Sequence, residues 1–285
     1  MTTRLCPGLH PLSQGAYAWL APHSSWGWSN AGLIADGEES LLVDTLYDLD
    51  LTGEMLRKMR SAEPAARAIG TLVNTHANGD HCHGNELVSG AQIIASTASA
   101  LEMGELTPQA MAALMHSASD KDVHLIEVGP AHTRGDVLVH CPSDKVVFTG
   151  DILFIESTPL IWEGPVGNWI DACLLIESMD ADLIVPGHGP ITDKHGVIKV
   201  RQYLQYVQDQ ARLRYDAGMD VFEAAKDIEL SEYSAWSDPE RIAVNVDSLY
   251  REFSGQQVHT DMLELMSRMA ELAGFAAKSS DAGNP

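Results

Sequence analysis

The stretch Thr75 to Asn85 constrains this chain more than any other. It reads Thr75-His76-Ala77-Asn78-Gly79-Asp80-His81-Cys82-His83-Gly84-Asn85, with three histidines and an aspartate between His76 and His83. It follows the apolar, β-branched run Ile69 to Val73, and its glycines permit a tight turn. A strand ending in a turn rich in imidazole and carboxylate is half of a metal site. Neutral imidazole and carboxylate are ligands for zinc and similar borderline cations. The rest of the sequence supplies the other half. Val128 to Asp136 sets His132 in a turn before the run Val137 to His140. Val146 to Asp151 ends a strand in an aspartate, and Leu183 to Pro190 ends another in His188. Each of these histidines alone reads as an ordinary polar residue. Four strand ends that finish in His or Asp argue together for one site on one edge of a sheet framework.

This ordered set resembles the metallo-β-lactamase fold superfamily, whose pattern is T-H-x-H-x-D-H, then H-T-P-G, then T-G-D, then G-H-G. The match spans residues 12 to 193, with one departure in the first motif: Asn78 stands where its second histidine belongs. The resemblance implies an α/β fold, an αββα sandwich, with a C-terminal helical extension. Residues 1–193 read as the metal-binding domain. Residues 194–277 read as helices that pack on it or form a homodimer interface, and 278–285 as a disordered tail. By resemblance, Asp80, His81 and His188 form one metal position, with Asp151 as the bridge. His76 and His132, with Asp151, form the other, which lacks its third imidazole. Asn78 leaves three readings open: a weak ligand, a ligand replaced by water, or an empty position. His83, at a helix start, and Cys82 read as non-ligands. Asp44, ending the run Leu41-Leu42-Val43, either supports the metal loop from behind or makes plain strand-end hydrogen bonds.

The implied cofactor is zinc, one or two ions, with iron or manganese also suited to the donors. A metal of this kind lowers the pKa of its water to about 7 and polarises a carbonyl. The resulting expectation is a hydrolase in which metal-bound hydroxide attacks an ester, thioester or lactone-like carbonyl of a small organic substrate. Asp80 is the candidate to orient the water or accept its proton, on condition that it is not tightly bound to the metal. Trp26, Trp28, Leu160 and Trp162 are the candidate pocket residues for an apolar acyl group. Two alternatives stay open: an iron-dependent oxidoreductase on the same site, and a metal- or ligand-binding protein with little turnover. Nuclease relatives carry a large domain between the Asp and the last His motif, and the short interval from Asp151 to His188 leaves no room for one. Lys199, Arg201 and Arg212 read either as solvated helix charges or as contacts to an anionic thiol carrier.

Charge narrows the partners. The chain has 285 residues, with 40 acidic against 18 basic and a net charge of −22. Such a surface repels phosphate backbones, so no nucleic-acid partner is expected. The four cysteines form no C-x-x-C pair, which argues against a disulfide framework. No run reaches the length of a membrane span and no apolar leader follows Arg4, so the expectation is a cytoplasmic protein. Strand and helix patterns alternate as in an α/β framework. Asp50 to Arg60 and Ser99 to Ser119 have helical spacing, and Ala91 to Ala95 reads as a strand. Ile152 to Gly167 is an apolar loop between two ligand candidates, read as a lid over the site.

Overall fold

The computed structural model describes residues 6–24, 27–103, 122–255 and 260–274. Its first sheet holds β1 (Gly8–Ser13), β2 (Ala16–Leu20), β3 (Ala31–Asp36), β4 (Glu39–Val43), β5 (Thr71–Val73) and β6 (Gln92–Ile94), in that order. β1 to β4 pair antiparallel, and the Asp36-Gly37 turn closes the β3–β4 hairpin. β4, β5 and β6 run parallel, so crossovers join them. The first crossover contains α1 (Leu49–Ala62), whose cap Asp48 accepts from Leu51 N at 2.8 Å. The second contains α2 (Gly79–Cys82), a single turn; α3 (Thr97–Met103) follows β6.

The second sheet takes β7 (His124–Glu127), β8 (Val137–Cys141), β9 (Val146–Phe148) and β10 (Leu183–Val185) in the order β10-β9-β8-β7. Only its β9–β10 pair is parallel, and α4 (Val166–Ser178) lies in that crossover. After β10 come α5 (Lys194–Asp216), α6 (Val221–Asp227), α7 (Ile242–Ser254) and α8 (Met262–Leu272).

The layers follow from alternation along the strands. Ile34, Leu41, Val43 and Val73 point to the second sheet and meet Val139, Val146, Phe148 and Val185 in one buried cluster. Leu33, Leu42 and Leu72 point the other way, onto Met55, Leu56 and Met59 of α1. On the far face of the second sheet, Leu138, Val147 and Ile184 pack with Trp169 and Ile176 of α4 and Val200 and Leu204 of α5. With both faces covered, these strands read as continuous apolar runs. The result is the expected αββα sandwich. The same buried cluster takes in Ala224, Ile242, Val246 and Leu249 of the later helices.

Three details differ from the sequence reading. β1 is not among the elements read from the sequence; it contains Pro11, which its place at the sheet edge accommodates. Of the helix expected over 99–119, only the part within α3 is described, and residues 104–119 lie outside the described residues, as do Trp26 and the tail 278–285. The segment after Asp151 is a buried wall rather than a lid, with Ile152, Leu153, Phe154, Leu160 and Ile161 all buried. α7 holds it in place. Asn245 accepts from Ile161 N at 2.8 Å and donates to Pro159 O at 2.9 Å, while Ser248 donates to Ile161 O. Among the described residues no helix is long and apolar enough to cross a membrane.

Candidate metal centre

Each ligand candidate lies just past a strand. His76 follows β5, Asp80 and His81 lie in α2, and His132 sits in the turn between β7 and β8. Asp151 follows β9, and His188 follows β10. The sandwich gathers these ends at one edge, and Asp151 is their hub. Its Oδ1 lies 3.1 Å from His81 Nε2. Its Oδ2 lies 3.1 Å from His188 Nε2, 3.3 Å from His132 Nε2 and 3.6 Å from His76 Nε2. Asp80 Oδ2 stands 3.6 Å from His188 Nε2. Two groups converge most closely, His76 with His81 and Asp151, and Asp80 with His81 and His188; within each, the ligand atoms lie within 4.8 Å of one another. Gly187 is required here because a Cβ at that position would collide with Asp151 Oδ1.

Asp44 organises the loop from behind. It accepts from Thr75 N at 2.8 Å, Thr75 Oγ1 at 2.7 Å and His81 Nδ1 at 2.8 Å. Having donated to Asp44, Thr75 Oγ1 can accept from His76 Nδ1, 3.0 Å away. Both imidazoles therefore turn Nε2 toward Asp151. The Asp44 backbone sits at φ 61°, a left-handed conformation that aspartate adopts more readily than most residues. A second clasp fixes the His132 turn, where buried Asp136 accepts from Thr133 N and Thr133 Oγ1, both at 3.0 Å.

The donors fit a divalent cation. Nε2 of His76, Nε2 of His81 and Oδ1 of Asp151 are buried without a hydrogen-bond partner. Buried polar atoms left so are costly, and a coordinated cation satisfies imidazole and carboxylate lone pairs together. Electrostatics favour the ligand forms at most of these groups. Burial, reinforced by His81, holds the His76 pKa well below the usual imidazole value, and burial lowers that of His132. Burial alone would raise the Asp151 carboxyl, but His188, His81 and His76 outweigh it and hold it well below the usual range. At His81 burial also opposes charge, yet Asp151 and Asp44 prevail and raise its pKa well above the usual value. His81 thus sits where positive charge is most wanted.

Above this cluster opens a cavity of about 450 Å³. Asp80, Asp151, His132 and His188 line its base. Phe154, Leu160, Trp162, Met262 and Met266 make it largely apolar. Phe154 stacks on His188, the rings 4.7 Å apart and 5° from parallel. Glu102 and Glu163 also line the cavity, and Arg134 lies 3.4 Å and 3.3 Å from them. The sequence model described as the metallo-beta-lactamase superfamily matches residues 25–188.

The chain belongs to the metallo-β-lactamase superfamily. Among curated proteins it is similar to a hydroxyacylglutathione hydrolase of Maricaulis maris, 27% identical over 54% of this chain and 58% of the relative. A hydroxyacylglutathione hydrolase of Rhodospirillum rubrum is 25% identical over 45% and 50%. A beta-lactamase-like protein 2 homolog of Caenorhabditis elegans is 23% identical over 65% and 63%. The matches thus span between half and two thirds of these relatives' lengths. Among solved structures, TMB-1 superposes with a TM-score of 0.54 at 19% identity, covering 70% of this chain and 98% of that one. A metallo beta lactamase from Erythrobacter litoralis gives 0.55 at 19%, covering 69% and 95%. Both likenesses concern the fold.

Measured against the sequence reading of this superfamily member, the structure brings His76, Asp80, His81, His132, Asp151 and His188 together, with Asn78 beside them. Leu160 and Trp162 line the cavity. Trp28 does not. The chain turns at Gly27, φ +74°, which puts Gly27 on the cavity and Trp28 in a neighbouring cleft with Trp19 and Leu46. Arg201 is 2.6 Å from Glu177 and Arg212 is 3.0 Å from Asp216, so both are ion-paired, and neither lines the cavity. Sequence reasoning missed Tyr47, Phe154, Arg241, Met262 and Met266 as lining residues. Phe154, three positions after Asp151, carried a usable signal. The others arrive through long-range packing and had none.

Proposed function

We propose that this chain is a metal-dependent hydrolase of thioesters or related acyl esters with an apolar acyl group. The observation that carries the reading is the set of buried imidazoles around Asp151 at the base of an apolar cavity. The similarity to proteins named hydroxyacylglutathione hydrolase supports the thioester class. A divalent ion held by His81, Asp151 and their neighbours would supply Lewis acidity and a water acidified to near neutral pH. The chain's own residues do the rest. Asp44 and Thr75 fix the two imidazoles of the first loop. Phe154 holds the His188 ring by stacking. Asp80, which lines the cavity, orients the attacking water and takes its proton. Leu160, Trp162, Met262 and Met266 bind the acyl group and exclude bulk water. Methionine walls adapt to more than one chain shape.

The test is a screen of acyl thioesters and nitrophenyl esters of increasing chain length, with the protein loaded with zinc and then stripped by chelator. The expected result is chelator-sensitive turnover, with KM falling about fourfold per added methylene until the cavity is full. His81→Ala and His188→Ala should abolish turnover. Full activity in either variant would sink the assignment. The donor set also suits iron. Protein purified with iron bound, and inactive on every ester, would favour the oxidative reading instead.

A further inference from the structure

The one departure from the superfamily's first motif, Asn78, makes a contact of its own inside the centre. Asn78 is the N-cap residue of α2, where asparagine ordinarily uses its side-chain oxygen to cap the helix. Here it makes no capping hydrogen bond. Its amide turns instead to His132, with Nδ2 2.9 Å from His132 Nε2. The His132 tautomer decides what this contact is. His132 Nδ1 lies 2.7 Å from the Leu160 carbonyl. A carbonyl only accepts, so Nδ1 carries the proton and Nε2 presents a lone pair. A neutral imidazole lone pair at hydrogen-bond distance from an amide is satisfied by the N–H side of that amide.

The neighbouring imidazoles differ. His81 gives its Nδ1 proton to Asp44, and its Nε2 faces the Asp151 carboxylate at 3.1 Å, a pairing that calls for positive charge between the two atoms. His76 Nε2 faces Asp151 Oδ2 at 3.6 Å in the same way. His132 Nε2 also faces Asp151 Oδ2, at 3.3 Å, but where Nε2 of His76 and His81 are buried with no hydrogen-bond partner, His132 Nε2 has the Asn78 amide as a donor of its own. His132 also belongs to neither of the two tightly convergent groups.

We propose that Asn78 is a positioning residue that donates to His132 Nε2 and removes this ring from the ligand set, so that the chain holds one tight divalent ion around His81 and Asp151. The proposal rests on the cluster being a metal centre, as in the function proposed above, but not on what that centre hydrolyses. Asn78 is then a competitor of the second ion rather than a weak ligand for it.

The two roles have opposite signs on removal. If the amide oxygen were a ligand, Asn78→Ala would weaken the second ion. As a donor that blocks His132, its loss frees a lone pair and the second ion binds more tightly. The experiment is a zinc titration of the full-length apoprotein against a competing chelator. It is read alongside nitrogen NMR of the imidazole rings and a thermal melt of each variant to confirm folding. In the wild type we expect one tight equivalent, with any second at least 100-fold weaker. The first equivalent should shift the His81 nitrogens and leave those of His132 unchanged. His132→Ala should leave the tight equivalent intact, and Asn78→Ala should strengthen the second. Two equivalents of similar affinity in the wild type, or weakening of the second in Asn78→Ala, would overturn this proposal while leaving the metal centre standing. No zinc binding in the folded wild type would overturn the centre itself.

Discussion

Asp44 carries the Thr75 amide, the Thr75 hydroxyl and the His81 ring on one carboxylate, and through Thr75 it also orients His76. Removing it frees both imidazoles to rotate. Asp44→Ala should lower zinc affinity about 10- to 100-fold, measured by chelator competition; unchanged affinity would show that the loop holds its shape without it. Asp136 makes the opposite electrostatic statement. Burial pushes its carboxyl up to about 7 from an ordinary 3.8, although Thr133 donates to it. As pH rises, the unfolded chain releases this proton first. The folded state therefore loses on the order of 4 kcal/mol from this group between pH 4 and 7. Asp136→Asn should flatten that part of the stability profile, seen by comparing denaturant midpoints of variant and wild type at pH 4.5 and 7.5. An identical slope would show that Asp136 ionises normally. The candidate ligand histidines were legible in the sequence because each comes after an apolar run and has a glycine close by. Asp136 was not, since nothing local distinguishes a buried carboxylate from a solvated one.

At the scale of elements, α7 governs the metal edge without reaching it. Asn245 and Ser248 hold residues 159–161, and the Leu160 carbonyl in that segment holds His132 Nδ1. Asn245→Ala leaves the Ile161 amide and the Pro159 carbonyl without this partner in a buried setting. It should cost about 3 kcal/mol of stability, read from denaturant unfolding. It should also broaden the His132 ring signals; sharp, unshifted signals would show that the wall stands without its strap. Most of the strands were readable, since runs such as Leu41 to Val43, Val137 to Val139, Val146 to Phe148 and Leu183 to Val185 are apolar and end in turn residues. The strap was not, because it joins positions more than 80 residues apart and leaves no periodic trace. β1 carries Pro11 and no apolar alternation that marks a strand, and its edge position removes the usual objection to that proline.

For the whole molecule, the continuity of the buried core matters most. Leu138 and Val147 of the second sheet share one cluster with Val200 and Leu204 of α5 and with Val246 and Leu249 of α7. Sheets and later helices should unfold in a single transition, and a chain cut after residue 193 should fail to reach a soluble folded state. Two separate transitions in calorimetry would contradict this. The net charge of −22 acts on the same unit. Added salt screens self-repulsion, so the melting temperature should rise as ionic strength increases from a few millimolar to physiological values. The strap has a further consequence in time. A ribosome completes every His and Asp of the metal cluster by residue 188, but Asn245 and Ser248 emerge only later. During synthesis the chain therefore carries its full set of metal-seeking side chains before the wall that orients His132 exists. The order of translation makes the finished centre one of the last features to form.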